Sequence, residues 1–226
     1  MIHNLLVVGL SGSGVVLFNR VLTECLADKG LTVTTKDALG TAHRATQVIT
    51  EIRYSEDQQV FPNFIPYGEA QVVVGFEPLE TLRLGALYVA RDGAVFMNTH
   101  RVIPTFHSMG KDIFSNKPRP LGYPDNDDII RRLRQYTSRI YPVDATGLAT
   151  ACGHHMASNV VMLGAVTASG LLPVSAAEIE DRVERKSPRK TAEVNLRAFQ
   201  AGLSAWQELI HGARTSPSGR PPHTDA

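Results

Sequence analysis

The 226 residues are 43% hydrophobic and 20% charged, with 23 Lys plus Arg against 22 Asp plus Glu, and this balance excludes a fibrous, disordered or strongly basic nucleic-acid-binding chain. A chain of this length buries roughly 70% or more of its unfolded surface, so its core needs neither metal nor disulfide. Its two cysteines, Cys25 and Cys152, are too few for an iron-sulfur cluster or a structural zinc from thiolates alone, so any cluster chemistry belongs to a partner.

The apolar start, Met1 to Gly9, is one strand long and meets glycines, too short for a signal peptide or a membrane span. A cytoplasmic protein with no membrane and no nucleic-acid partner is expected. Ile2 to Val8 reads as a strand buried on both faces of a parallel sheet. After Gly14 the residues Val15, Val16, Leu17, Val21, Leu22, Leu26 and Ala27 recur at helical spacing, and Lys29-Gly30 stops the helix. Leu31 to Thr35 supplies the next strand, giving a βαβ opening that predicts a right-handed crossover into a parallel sheet.

Thr46 to Tyr54 alternates as a strand, with Val48, Thr50, Ile52 and Tyr54 on one side. Gln71 to Phe76 is another buried strand, and Glu77-Pro78 with Glu80 starts a helix that runs to about Leu84. Ala94 to Asn98 is a strand, Asp125 to Arg139 a helix with an acidic start and a basic end, and Ile140 to Val143 the last strand. From Asp144 the pattern turns helical: a short helix at Ala145 to Thr150, then a long one from about His155 to Ser169. Apolar residues surround the latter on most sides, which buries it in the core or against another chain. Ser175 and Glu178 form a capping box, and Ser187-Pro188 opens a last helix to roughly Ile210. The expectation is an α/β fold: a Rossmann-like, mostly parallel sheet flanked by helices, with a helical C-terminal part. It forms one domain over residues 1–211, with a disordered tail over 212–226, where apolar anchors are missing.

The turn Gly9-Leu10-Ser11-Gly12-Ser13-Gly14 stands between a strand and a helix, where backbone amides and the helix dipole favour an anion. It matches the dinucleotide fingerprint except that Ser11 replaces the middle glycine, and Asp37 beyond the second strand stands where a ribose-binding acid would. A tight turn that simply needs small residues is the competing account. The segment from Asp37 to Gln47 reads as a ligand-facing loop in which His43 and Arg44 contact an anion, or else as a solvated loop with two incidental basic groups. Glu77 is either a functional carboxylate at a strand end or a helix cap. His154-His155 lacks a third ligand at helical spacing and is read as structural. The serines lack the glycine-flanked elbow of a hydrolytic nucleophile.

These segments, taken in order, resemble the gamma-type domain of the pyruvate and 2-oxoacid ferredoxin oxidoreductases, most closely the branch of indolepyruvate ferredoxin oxidoreductase beta subunits. The resemblance runs through Gly9 to Val15, Asp37 to Arg44, Gly75 to Glu80, Asn98-Thr99, Ile103-Pro104, Asp144 to Thr146, Asn159 to Ala165 and Asn195 to Phe199. It implies a small subunit that binds no cofactor alone and packs on a large partner carrying thiamine diphosphate and iron-sulfur clusters. Coenzyme A would be co-substrate, and ferredoxin or another electron carrier the acceptor. It also implies that Gly9, Ser11, Gly12, Ser13, Gly14, Gly40, His43 and Arg44 lie near a shared site of 2-oxoacid oxidation. The sequence departs from the family pattern, which has Gly at 11, Gln at 13 and 43, and two glycines after Arg44, where Ala45 and Thr46 stand here. Replacing glycine restricts the loop backbone, so substrate or acyl acceptor can differ from the type enzyme. Two rivals remain at this point: a stand-alone nucleotide-binding enzyme using NAD or FAD, and a diverged non-catalytic partner.

Overall fold

A computed structural model of the chain describes residues 1–39, 46–57, 61–102 and 122–215. Its elements are β1 (Ile2–Leu10), α1 (Val15–Asp28), β2 (Thr32–Leu39), β3 (Gln47–Ser55), β4 (Ala70–Gly75), α2 (Pro78–Tyr88) and β5 (Val89–Asn98). There follow α3 (Asn126–Leu133), β6 (Arg139–Val143), α4 (Ala145–Ala151), a 3-10 turn (His155–Ala157), α5 (Ser158–Ala168), α6 (Ala176–Lys186) and α7 (Ala192–Thr215).

The strands form one sheet in the order β2-β3-β1-β4-β5-β6. β1, β4, β5 and β6 pair in parallel, as the continuous apolar runs predict, but β3 pairs antiparallel with both β1 and β2. β2 therefore runs in the direction of β1 yet is not its neighbour, which corrects the expected simple βαβ opening. The reason is the connection: only seven residues separate β2 from β3, enough for an antiparallel return, whereas a parallel pair needs a crossover of about a dozen or more.

Side-chain alternation along β1 feeds two cores. Leu5 and Val7 point to a layer with Phe18, Leu22 and Leu26 of α1 and with α5, α6 and α7, while Leu6 and Val8 meet Leu84 of α2 and Ile129 and Leu133 of α3. α5 is buried on nearly all sides, from Asn159 through Thr167, and the covering comes from this chain itself, chiefly α7. Its apolar circumference therefore needs no second subunit.

Other boundaries differ from the sequence reading for local reasons. α3 stops at Leu133 rather than Arg139, because the Thr137 hydroxyl donates to the Gly93 carbonyl at 2.6 Å and fixes a turn before β6. α2 continues to Tyr88 and β5 begins at once at Val89. The long helix expected from His155 begins with a separate 3-10 turn, and residues 188–191 form a turn ahead of α7. α7 continues to Thr215, four residues into the expected tail, and residues 216–226 lie outside the described part. The capping box is formed as predicted, the Ser175 hydroxyl accepting from the Glu178 amide and the Glu178 carboxylate from the Ser175 amide.

Candidate functional site

In an open, mainly parallel sheet, ligands bind beyond the carboxyl ends of the strands where connections leave in opposite directions. Here that point lies between β1, whose chain departs toward β2, and β4, whose chain departs toward β5. A cleft of about 220 Å³ occupies it, lined by Leu10, Ser11, Gly12, Ser13, Phe76, Asn98, His100, Val102, Thr146, His155, Met156 and Ser158.

The glycine turn forms one wall. The Ser11 amide donates to the Thr46 carbonyl at 2.7 Å and the Ser13 amide to the Leu10 carbonyl at 3.0 Å, so the chain reverses tightly. Gly12 and Gly14 hold φ of +90° and +86°, a left-handed conformation that side chains rarely adopt. Gly14 is the N-cap of α1 and offers no side-chain cap, leaving the amides of the first turn to other acceptors. A Cβ on Gly14 would lie 2.5 Å from the Asn159 side chain, whose Nδ2 donates to the Gly14 carbonyl at 3.3 Å and ties the start of α5 to the turn. Ser13 Oγ is shut off from solvent and finds no hydrogen-bond partner among the described residues.

The opposite wall is built from strand ends. Asn98, the last residue of β5, is 2% exposed; its Nδ2 donates to the Phe76 carbonyl at 3.2 Å and to Thr146 Oγ1 at 3.0 Å, joining β5 and α4 to the residue that follows β4. Its Oδ1 accepts from the His100 amide at 3.3 Å. His154 and His155 stack at 5.3 Å, and His154 Nδ1 accepts the Met156 amide, so His154 caps the 3-10 turn while His155 and Met156 face the cleft. Glu77 lies behind this wall, 2% exposed, its Oε2 accepting from the Glu80 amide as the cap of α2. Burial raises the pKa of Glu77, while hydrogen bonds from the Tyr123 hydroxyl and the Glu80 and Val102 amides act the other way.

Of the residues singled out in the sequence, the structure groups Ser11, Gly12 and Ser13 on the cleft, with Gly14 at the helix start beneath it. Gly9 has its Cα face against Ser13 and Phe76, where a Cβ would come within 2.7 Å of Ser13 Oγ. Gly40, His43 and Arg44 lie outside the described residues. Asp37 is inside β2 rather than beyond it, and β3 stands between it and the turn, two strand spacings of about 4.8 Å instead of one. Its carboxylate accepts from Thr50 and, at 3.4 Å, from Asn19, so the geometry of a ribose-binding acid is not reproduced. Asn98, His100, Thr146, His155, Met156 and Ser158 were not legible as site residues. The signal for Asn98 was its place at a strand's carboxyl end; the helical residues arrive through tertiary packing.

The cleft is lined by hydroxyls, an amide group and two imidazoles interspersed with the apolar Leu10, Phe76, Val102 and Met156. It can hold a small molecule that carries both hydrogen-bonding and apolar groups.

Comparison with known proteins agrees with this architecture. Residues 4–205 match the family model of pyruvate ferredoxin/flavodoxin oxidoreductase. The chain is 33% identical over 208 residues to indolepyruvate oxidoreductase subunit IorB of Methanothermobacter thermautotrophicus, covering 92% of this chain and all of that one. Among solved structures it is similar to the gamma subunit of a keto/oxoacid ferredoxin oxidoreductase from Geobacter sulfurreducens (TM-score 0.62, 17% identity, 91% of this chain and 99% of that one). It is also similar to part of the 2-oxoglutarate:ferredoxin oxidoreductase of Magnetococcus marinus, a structure with 2-oxoglutarate, coenzyme A and succinyl-CoA bound (TM-score 0.67, 16% identity, 92% of this chain and 31% of that one).

Proposed function

The chain belongs to the pyruvate ferredoxin/flavodoxin oxidoreductase family, and from that membership we propose that it is the small subunit of a 2-oxoacid:ferredoxin oxidoreductase acting on indolepyruvate or another aryl-pyruvate. It works beside a large subunit that carries thiamine diphosphate and the iron-sulfur clusters, passes electrons to ferredoxin or a similar carrier, and hands the acyl group to coenzyme A. The observation that carries this reading is the match, over 92% of this chain and all of the relative, to an indolepyruvate oxidoreductase subunit in a chain with only two cysteines. The Magnetococcus enzyme, in which a domain of this shape is about a third of one chain, supports the division of labour.

The cleft adds a second support. Complete small-molecule sites enclose roughly 300–1,000 Å³, and at about 220 Å³ this one suits half of a site closed by another subunit. Within it the residues of this chain bind and orient: Ser11 and Ser158 offer hydroxyls, His100 and His155 offer imidazoles, and Gly12, with open space where a Cβ would stand, lets the backbone approach the ligand, while Gly9, Ser13 and Gly14 shape the turn that carries it. Gly40, His43 and Arg44, which lie outside the described residues, belong to the proposed set by resemblance to the family, Arg44 as its cation. The role proposed for these residues is binding and orientation, with no covalent step assigned to them.

The test is co-expression with the thiamine-diphosphate-bearing subunit, followed by 2-oxoacid-dependent reduction of ferredoxin with and without coenzyme A. The expected result is activity from the pair and none from either chain alone. Turnover of a 2-oxoacid by the isolated small chain would defeat the proposal, as would full activity of the large chain without it. Binding with no gain in rate would make the chain a non-catalytic partner.

A further inference from the structure

We propose that Glu77 is a positioning residue of the cleft, fixing from behind the wall the backbone that carries His100 and Val102. The proposal rests on the reading of the cleft as the working site. Helix capping, the simplest role for this residue, accounts for Oε2 alone. The other oxygen, Oε1, accepts from the Tyr123 hydroxyl and, at 3.5 Å, from the Val102 amide. One oxygen thereby joins positions 102 and 123, two stretches of chain that no strand pairing connects.

The choice of residue points the same way. Asp, Asn, Ser and Thr are the favoured caps, and glutamate is not among them. A carboxylate that is 2% exposed is costly unless hydrogen bonds satisfy it. The extra methylene of glutamate lets one carboxylate cap α2 and still reach Val102 and Tyr123.

The segment it holds is the one that needs holding. β5 ends at Asn98, and residues 99–102 lie outside any strand or helix. The Thr99 amide donates to the Val143 carbonyl at 2.9 Å, and its carbonyl accepts from Asn126 Nδ2 at 2.9 Å. The Arg101 guanidinium lies 5.9 Å from the centre of the Tyr123 ring. Tyr123 is in turn oriented by the Leu79 amide, which donates to its hydroxyl oxygen at 3.1 Å. His100 and Val102 face the cleft from this segment, so Glu77 acts on a ligand only through them.

Two variants separate this role from simple folding. Tyr123→Phe removes the donor to Oε1 and with it the acceptor of the Leu79 amide, and leaves Glu77 capping α2. Glu77→Gln keeps the shape but has one acceptor oxygen, so it cannot cap and hold the segment together. Amide exchange on the full chain alone is expected to quicken about tenfold at residues 99–102 in both variants, the effect of one lost buried hydrogen bond. The amides of Arg83 to Tyr88, later in α2, serve as the control and are expected to keep their protection. The His100 imidazole signal should shift in the same variants. In the assembled pair, the KM for the cleft ligand should rise several-fold with kcat within about twofold, the pattern of lost binding contacts. Unchanged exchange at 99–102, or equal loosening along α2, overturns the proposal. Faster exchange with unchanged kinetics upholds the anchoring and instead overturns the reading of the cleft on which it rests.

Discussion

Three glycines in helices should respond to the same substitution with opposite signs. Replacing glycine by alanine inside a helix is worth about 1 kcal/mol of propensity. In Gly85 of α2 an added Cβ would find its nearest neighbour, Val73 Cγ1, at 3.6 Å, which is ordinary contact. Gly85→Ala should therefore stabilise the chain by about 0.5–1 kcal/mol. In α7 a Cβ on Gly202 would lie 2.1 Å from the Val161 carbonyl oxygen, and in α5 one on Gly164 would lie 2.3 Å from the Phe199 carbonyl oxygen. Real Cβ atoms essentially never come within 3.0 Å, and the obstacles here are backbone atoms that cannot rotate away. The two helices must then part by most of an ångström, and overpacking of this kind costs about 1–3 kcal/mol or more. The clash outweighs propensity, so Gly202→Ala and Gly164→Ala should each destabilise by a net of about 1–2 kcal/mol, lowering Tm by about 2–8 °C for a chain of this size. The double variant should cost less than the two singles together, because helices already parted accept the second methyl. Urea unfolding at constant m-value measures all four proteins. Stabilisation by Gly202→Ala, or a loss of stability in Gly85→Ala equal to that in Gly202→Ala, would refute the close-approach argument.

Gly14→Ala should harm both stability and assembly-dependent activity, since it meets left-handed backbone and the Asn159 side chain together. Gly12→Ala, with the same backbone but nothing within 4 Å, should cost only the conformational penalty of about 1–2 kcal/mol, and thermal unfolding of the pair ranks them. Cys25 is 4% exposed and burial pushes its thiol pKa up, so a thiol reagent should label Cys152 in the native chain and Cys25 only after unfolding; rapid modification of both would contradict the packing of α1 on α6. Glu24 is held at about 2 by Lys186 first, with Arg20 and Arg182 assisting. Because its folded pKa lies below the unfolded value, its contribution is complete above about pH 4.5 and is lost as pH falls toward 2. Solvent screening limits it to about 0.5–1 kcal/mol. Glu24→Gln should flatten the acid limb of the stability profile by that amount at low salt and by less at high salt.

How far the sequence could be read is clear from particular residues. Val7 and Val8 in β1, the Ser175 to Glu178 cap and Pro78 at the start of α2 announce themselves, since alternation, capping and a missing amide act within a few residues. The all-round apolar character of α5 was visible too, but not what covers it: α7 supplies the cover from some forty residues later in the chain. The turn residues Ser11 to Gly14 were recognisable as a strand-to-helix turn, and the structure sets Ser11, Gly12 and Ser13 on the cleft. The wall facing them was not, because Asn98, Thr146 and His155 belong to three elements with no common period.

The order of apolar runs, turns and caps determined by itself that this chain makes a mainly parallel sheet between helices, and its signature segments determined the family. The tertiary structure alone decided that β3 enters between β1 and β2, which removes Asp37 from the glycine turn. It alone decided that Glu77 serves two stretches of chain at once. The division has one physical cause: local propensity and burial act over neighbouring residues, whereas strand order and shared hydrogen bonds are settled only when distant segments compete for the same surface.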